Sequence, residues 1–269
     1  MALTAEADIF ALLDNYRPFE VDPSEPTISI TIRDNAPLPE VWTEEWRQDE
    51  EGDEIACGHA DGNQLFVFRS HGKTAGWMEC GSDYHSATVT LGELPKLAID
   101  NAMMISFALA TAPLDTLLFH ASVVCRKGKA YMFLGPSGTG KSTHTRLWLR
   151  HIDGSRLLND DNPVVRIGAD GSVEVYGSPW SGKTPCYVNE HYPLGAIVRL
   201  RQAPYNAIRP MSPVEAYATM ASSVSGKRWE KDIADGLHRA LNSLTATAKV
   251  WHMDCLPDEA AAKMTSGTI

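Results

Sequence analysis

Apolar and polar positions alternate along Thr27–Ile32 (TISITI), the pattern of a strand with one buried face. Leu65–Phe68, Thr74–Met78 and Ser86–Leu91 read as further short strands, with Gly, Asp and His-Gly punctuation between them. Trp42–Gly62 is rich in Asp and Glu and is expected to be a solvated loop or a poorly ordered helix. These segments predict a small, mainly β module over residues 1–95, with no catalytic signature. His59 and His71 belong to no ligand cluster and are expected at its surface. The pattern then turns helical at Leu97–Ala112, where Leu97, Met103, Met104, Phe107 and Leu109 are apolar and Pro113 ends the run.

Residues 96–269 read as a second, α/β (α+β) domain. Thr116–Cys125 and the strand Tyr131–Leu134 flank a four-residue turn containing Gly128, and so short a turn joins only antiparallel strands. A helix (THTRLWLRHI), a strand from Arg156 to Leu158, a hairpin of Val164–Ile167 with Val173–Tyr176 and a strand at Gly195–Leu200 follow. Ser212, Pro213 and Glu215 form a capping box that starts a helix running to about Val224. Arg228–Leu244 is a second helix with Trp229, Ile233, Leu237, Leu241 and Leu244 on one packing face. Val250–Met253 is a late strand, and Pro257-Asp258-Glu259 opens a last short helix. The expectation is a mixed sheet.

Composition narrows the function classes. A net charge of −10 argues against a general nucleic-acid or anionic-membrane surface and leaves room for local basic patches. The apolar stretch 102–119 is broken by Pro113 and Asp115, too soon to span a bilayer. Five well-separated cysteines (Cys57, Cys80, Cys125, Cys186, Cys255) and an acidic start without a basic leader lead to the expectation of a cytoplasmic protein with reduced thiols.

The candidate chemistry sits in the stretch KAYMFLGPSGTGKS. Gly135, Gly140, Lys141 and Ser142 fill every fixed position of G-x-x-x-x-G-K-[ST]. Glycines allow backbone N–H groups to turn in around a polyphosphate where side chains would block it. Gly135, Pro136, Ser137, Gly138, Thr139, Gly140, Lys141, Ser142 and Thr143 are therefore the candidate ATP-binding set. Lys141 supplies a charge for the β- and γ-phosphates, and Ser142 suits one Mg²⁺ position. Asn159-Asp160-Asp161 ends the next strand, where carboxylates bind Mg²⁺ or activate a nucleophile. Asp160-Asp161-Asn162-Pro163 is also good turn chemistry. His120 lies in the first hairpin strand amid apolar neighbours, where a plain core histidine is the competing reading. Gly177–Lys183 is too rich in Gly and Pro for regular structure. Trp180 and Lys183 in it suit either a loop closing over a ligand or an ordinary surface turn.

The series LFHASVV, tight turn, strand, GPSGTGKST and LLNDD resembles the HPr kinase/phosphorylase family, whose nucleotide-binding core also occurs in ATP-type phosphoenolpyruvate carboxykinases. The resemblance is strongest over residues 117–209, and GSPWSGKTPCYVNEHYPLGAIVRL looks like a subgroup of unassigned substrate. It implies a kinase that uses ATP and Mg²⁺ to phosphorylate a serine-like hydroxyl on a protein, peptide or small molecule. His120 would lie beside the transfer site, Lys141 would hold the phosphates, and Ser142 and Asp161 the metal. Asp160 would act as base, or the two aspartates would exchange roles. No acidic residue occurs in Gly177–Cys186, where the family carries a metal-binding glutamate. That departure motivates a second reading, a nucleotide-binding switch with little transfer activity. A carboxykinase-type reaction ranks last, since it needs a cluster of arginines and metal ligands that the sequence does not locate. The family is often hexameric; the unmatched N-terminal half leaves a homo-oligomer an open expectation.

Overall fold

A computed structural model describes residues 1–33, 36–182 and 184–269. Lys183 therefore lies outside the described residues. Contacts between Cα atoms divide the chain into Met1–Ala110 and Thr111–Ile269. The helix expected to open the second domain falls mostly within the first unit.

The first unit is a seven-stranded sheet. Its strands are β1 (Ala2–Thr4), β2 (Ser29–Arg33), β3 (Thr43–Glu50), β4 (Asp53–Ala60), β5 (Asn63–Ser70), β6 (Lys73–Cys80) and β7 (Ser86–Leu91), in the order β1-β2-β7-β6-β5-β4-β3. The acidic segment expected to be a loop or poorly ordered helix is instead the antiparallel hairpin β3–β4. All eight β3 residues are exposed, so its carboxylates stay hydrated, and Arg47 bridges Glu44 and Glu54. The turn is the residue pair Glu51-Gly52 with φ of 56° and 94°. Asp61-Gly62 and His71-Gly72 repeat it between β4, β5 and β6, and two positive φ angles match strand twist in a two-residue hairpin. Leu65, Val67 and Trp77 pack with Leu38 and Trp42. Helix α1 (Pro95–Thr111) brings Ala98 against Gly76, where an added Cβ would stand 2.8 Å from the alanine methyl. Its segment Pro95–Leu114 is long and apolar enough to cross a membrane by length and composition alone, and 56% of its most apolar window is buried. His59 and His71 are exposed, as expected.

The second unit is a nine-stranded mixed sheet with helices. In chain order it comprises β8 (Thr116–Leu118), β9 (Ala121–Arg126), β10 (Lys129–Leu134), α2 (Lys141–His151), β11 (Arg156–Asp161), β12 (Val164–Ile167), β13 (Val173–Tyr176), β14 (His191–Gln202), β15 (Ala207–Pro210), α3 (Pro213–Ala221), α4 (Lys231–Thr247), β16 (Val250–Cys255) and α5 (Glu259–Thr268). The sheet runs β11-β9-β10-β14-β13-β12-β8, with β16 pairing β14 and β15. Strand β10 is antiparallel to β9 and parallel to β14.

Three local expectations are corrected. The stretch Thr116–Cys125 is two strands, because β8 pairs with β12 while β9 pairs with β10 and β11. At the change of partner the His120 N–H donates to the Ser223 carbonyl at 2.7 Å, so His120 belongs to neither ladder. Helix α3 stops at Ala221, since Val224 bridges Phe119 instead. Trp229 lies ahead of α4, half exposed, with the Lys227 ammonium 5.6 Å from its ring centroid.

The core beside the glycine loop joins Phe133 of β10, Trp148 of α2, Val198 of β14 and Met253 of β16 to Ala261 and Ala262 of α5. Those two alanines let α5 approach closely. Thr265 is fully buried and bonds both the Trp148 indole N–H (2.9 Å) and His144 Nε2 (3.0 Å). Burial disfavours the imidazolium of His144 and pushes its pKa down to about 4. The Ser212 and Glu215 capping box is present as read from sequence, and Asp258 caps α5.

Candidate functional site

Strand β10 buries Met132, Phe133 and Leu134, then delivers the chain into the glycine loop. Gly138 (φ 75°) and Gly140 (φ 101°) adopt backbone that other residues rarely take, and Gly140 occupies the N-cap of α2. The first turn of α2 carries no acidic side chain, so its positive dipole end is uncompensated and favours an anion. Thr139 Oγ1 donates to the Pro136 carbonyl (2.7 Å), and Gln202 at the end of β14 donates to the Gly138 carbonyl (3.0 Å). Both bonds hold the loop in its curve.

Lys141 is 8% exposed. Its ammonium donates to the Gly135 carbonyl (3.0 Å) and reaches the Pro136 carbonyl (3.4 Å) and His120 Nε2 (2.9 Å). A buried ammonium needs such acceptors, and phosphate oxygens would serve it better than neutral carbonyls. The second side of the site comes from β11. Its register with β9 sets Asp160 opposite Ser122 and Asp161 opposite Ala121. Asp160 is 4% exposed and accepts from Ser122 Oγ at 2.6 Å. Ser122 Oγ lies 3.1 Å from Thr145 Oγ1, which itself contacts the Ser142 carbonyl at 3.0 Å. Asp161 Oδ1 stands instead 3.4 Å from His120 Nε2, and its side chain is about two-fifths exposed, at 38%. The structure thus brings Lys141, His120 and Asp161 together and sets Asp160 in a buried hydroxyl network.

His120 Nε2 cannot serve both neighbours at once. Accepting a proton from Lys141 requires a bare nitrogen, which then offers Asp161 nothing. A proton on Nε2 reverses this: the imidazole donates to Asp161 and loses Lys141. Whatever draws the ammonium away frees His120 for Asp161.

The Gly- and Pro-rich segment acts on the aspartates from behind. Asn159 Nδ2 donates to Ser178 Oγ (3.0 Å) and to the Trp180 carbonyl (3.2 Å), and Gly182 N–H donates to the Asp160 carbonyl (2.6 Å). Ser181 makes a bridge with Asp161, whose φ of 154° few non-glycine residues adopt. Trp180 is buried, so residues 177–182 are a clamp on the end of β11. Sequence reading missed Ser122, Thr145, Ser178 and Gln202. Of these only Ser122 carries a signal, a lone hydroxyl inside the apolar run HASVVC.

Beside the loop lies a cleft of about 480 Å³, lined by Thr139, Gly140, Thr143, Leu147, Leu256 and Pro257 among others. Among the described residues no group of three or more His, Cys, Asp or Glu could cage a metal ion. The hydroxyl of Ser142 and the carboxylates of Asp160 and Asp161 are hard oxygen donors. That set fits a Mg²⁺ ion that shares its shell with phosphates and water.

A mixed α/β protein with a lysine-bearing glycine loop set beside histidine and aspartate is the class that fold and site define. Residues 92–243, more than half of the chain, match the family described as ScmC, SynChlorMet cassette protein ScmC, and the chain belongs to that family. No curated protein matches it. Among solved structures, the Hpr(Ser) kinase/phosphatase from Coxiella burnetii aligns with a TM-score of 0.32 at 10% identity, over 55% of this chain and 91% of that one.

Proposed function

We propose that this protein is an ATP- and Mg²⁺-dependent phosphotransferase acting on a hydroxyl group. The observation that carries the reading is the convergence of Lys141, His120 and Asp161 at the mouth of the glycine loop, with contacts of 2.9 and 3.4 Å. Backbone N–H groups of Gly138–Ser142 and the Lys141 ammonium bind the β- and γ-phosphates, and the adenine occupies the cleft beside Leu147 and Leu256. Ser142 and Asp160 hold the magnesium. Bound Mg²⁺ supplies charge neutralisation across the β- and γ-oxygens.

The geometry favours the exchanged assignment of the two aspartates. Asp161 is about two-fifths exposed, its Oδ1 towards His120 and its Oδ2 accepting from Asn162 Nδ2 (2.8 Å), whereas Asp160 is buried and accepts from Ser122. Phosphates draw Lys141 off His120, and His120 then donates from Nε2 to Asp161 and fixes its orientation. Asp161 takes the acceptor's proton as the acceptor oxygen bonds to phosphorus and the bond to ADP breaks. Positioning and charge stabilisation supply most of the acceleration in this class of reaction. Purified protein incubated with γ-labelled ATP, Mg²⁺ and a panel of hydroxyl acceptors tests the reading. Labelled product that disappears in Asp161→Asn supports it. ATP binding without product across the panel favours a nucleotide-binding switch, the reading motivated by the lack of a carboxylate in Gly177–Cys186.

A further inference from the structure

A second cleft in the same unit, of about 560 Å³, is lined by Arg199, Arg201, Arg209, His252, Asp254 and Glu215 among others. Strand pairing assembles it. Arg199 of β14 is the register partner of His252 on β16, which is in turn the partner of Arg209 on β15. Arg201 and Asp254 form the next rank. Two of the arginines are already matched. Arg201 makes bidentate contact with Asp254 (2.6 and 2.9 Å), and Arg209 with Glu215 (2.7 and 3.1 Å). The Arg201 bond holds Asp254 down to about 2, and the Arg209 bond does the same for Glu215. Both carboxylates therefore stay charged at neutral pH. Asp254 also faces His252 Nε2 at 3.0 Å, so three guanidiniums and an imidazole share two carboxylates, and Arg199 has no carboxylate partner among the described residues.

The cleft borders the transfer site at two places. Arg199 is also the register partner of Leu134, the residue before Gly135. Ser222 lines the cleft, and its neighbour Ser223 accepts the His120 N–H. We propose that this cleft binds the carboxylate of a small hydroxy acid on Arg199, and that such an acid is the acceptor class of the site. The volume lies in the range of small-molecule pockets. A guanidinium fork matches a carboxylate in two parallel hydrogen bonds. With Arg201 and Arg209 already paired, Arg199 is left to take one carboxylate, a group that a simple phosphomonoester lacks. The transfer step rests on the function proposed above; the binding step does not.

The test uses the full chain and ligand-observed saturation-transfer NMR with D-glycerate, L-lactate and glycolate, each beside its amide, and with glycerol 3-phosphate. At least one acid is expected to bind, with its amide at least tenfold weaker and glycerol 3-phosphate no tighter. Arg199→Gln is expected to weaken the acid roughly ten- to hundredfold, by loss of a charge-assisted pair, and Arg199→Lys to restore part of it. The unchanged thermal midpoint and MgATP affinity of Arg199→Gln establish that the variant is folded. Equal binding of acid and amide, equal binding by wild type and Arg199→Gln, tighter binding of glycerol 3-phosphate, or no acid bound would each overturn the proposal. MgATP binding measured on the same samples separates the two readings. ATP bound without acid refutes the cleft, and acid bound without ATP supports the cleft while refuting the transferase.

Discussion

Replacing Lys141 by methionine separates the cost of a buried charge from its use. In the free protein the ammonium is 8% exposed and is compensated by two loop carbonyls and His120. Methionine removes the buried charge and fills much the same space but leaves the loop carbonyls and His120 without that donor, so the free protein should lose at most about 1–3 kcal/mol. The nucleotide complex should lose more. Two charge-assisted bonds from Lys141 to phosphate, at about 1.5–3 kcal/mol each, amount to about 3–6 kcal/mol, or more than a hundredfold in affinity. If wild type binds MgATP at about 10 μM, 1 mM nucleotide stabilises it by about 2.7 kcal/mol. For a domain of this size that corresponds to a rise of about 5–10 °C in melting temperature. Lys141→Met, with a dissociation constant above about 1 mM, should gain about 0.4 kcal/mol or less, a shift of about 1 °C. Calorimetric scans with and without MgATP read both quantities. A Lys141→Met protein that still shows the full nucleotide shift would falsify the assignment of this loop to phosphate.

The two aspartates should part company: Asp161→Asn is expected to lower phosphoryl transfer by roughly 10²–10⁴-fold with MgATP affinity nearly intact, and transfer at wild-type rates would remove Asp161 as base. Asp160→Asn should weaken Mg²⁺-dependent ATP binding; a variant with unaltered Mg²⁺ dependence would contradict the metal assignment. Ser122→Ala leaves the buried Asp160 without its 2.6 Å donor and should cost about 1.5–3 kcal/mol in urea unfolding; a loss under about 0.5 kcal/mol would mean the network is not a structural unit. His144 has a folded pKa of about 4 against an ordinary 6.5, so the unfolded chain binds its proton first. Its contribution is fully present above about pH 6.5 and is lost as pH falls towards 4, by up to about 3 kcal/mol. Unfolding curves of His144→Gln and wild type between pH 7 and 4 should differ in slope by that one proton, and parallel curves would refute the coupling.

Local signals were legible wherever neighbouring residues carried the whole requirement. The capping box at Ser212 and Glu215, the apolar face of α4 from Ile233 to Leu244 and the hairpin turn at Gly128 each depend on residues within a turn or two of one another. The hairpin β3–β4 was missed because its strand carries hydrated carboxylates on both faces, so the period of two leaves no hydrophobic trace; only the Glu51-Gly52 turn marked it. The break at His120 was invisible for a different reason. An apolar run does not record which strand receives its hydrogen bonds, and here the receiver changes from β12 to β10 and β11 in mid-run.

By itself, the sequence determined that a glycine loop with Lys141 and Ser142 lies between a strand and a helix, and that two aspartates end the next strand. Spacing along a chain specifies backbone conformation at that range. The tertiary structure alone decided that Asp160 turns to Ser122 while Asp161 turns to His120. It likewise decided that Arg199, Arg209 and His252, separated by up to fifty-three positions, stand in one rank. Those juxtapositions come from strand register, which pairs residues across loops of any length and is fixed by the packing of the whole sheet.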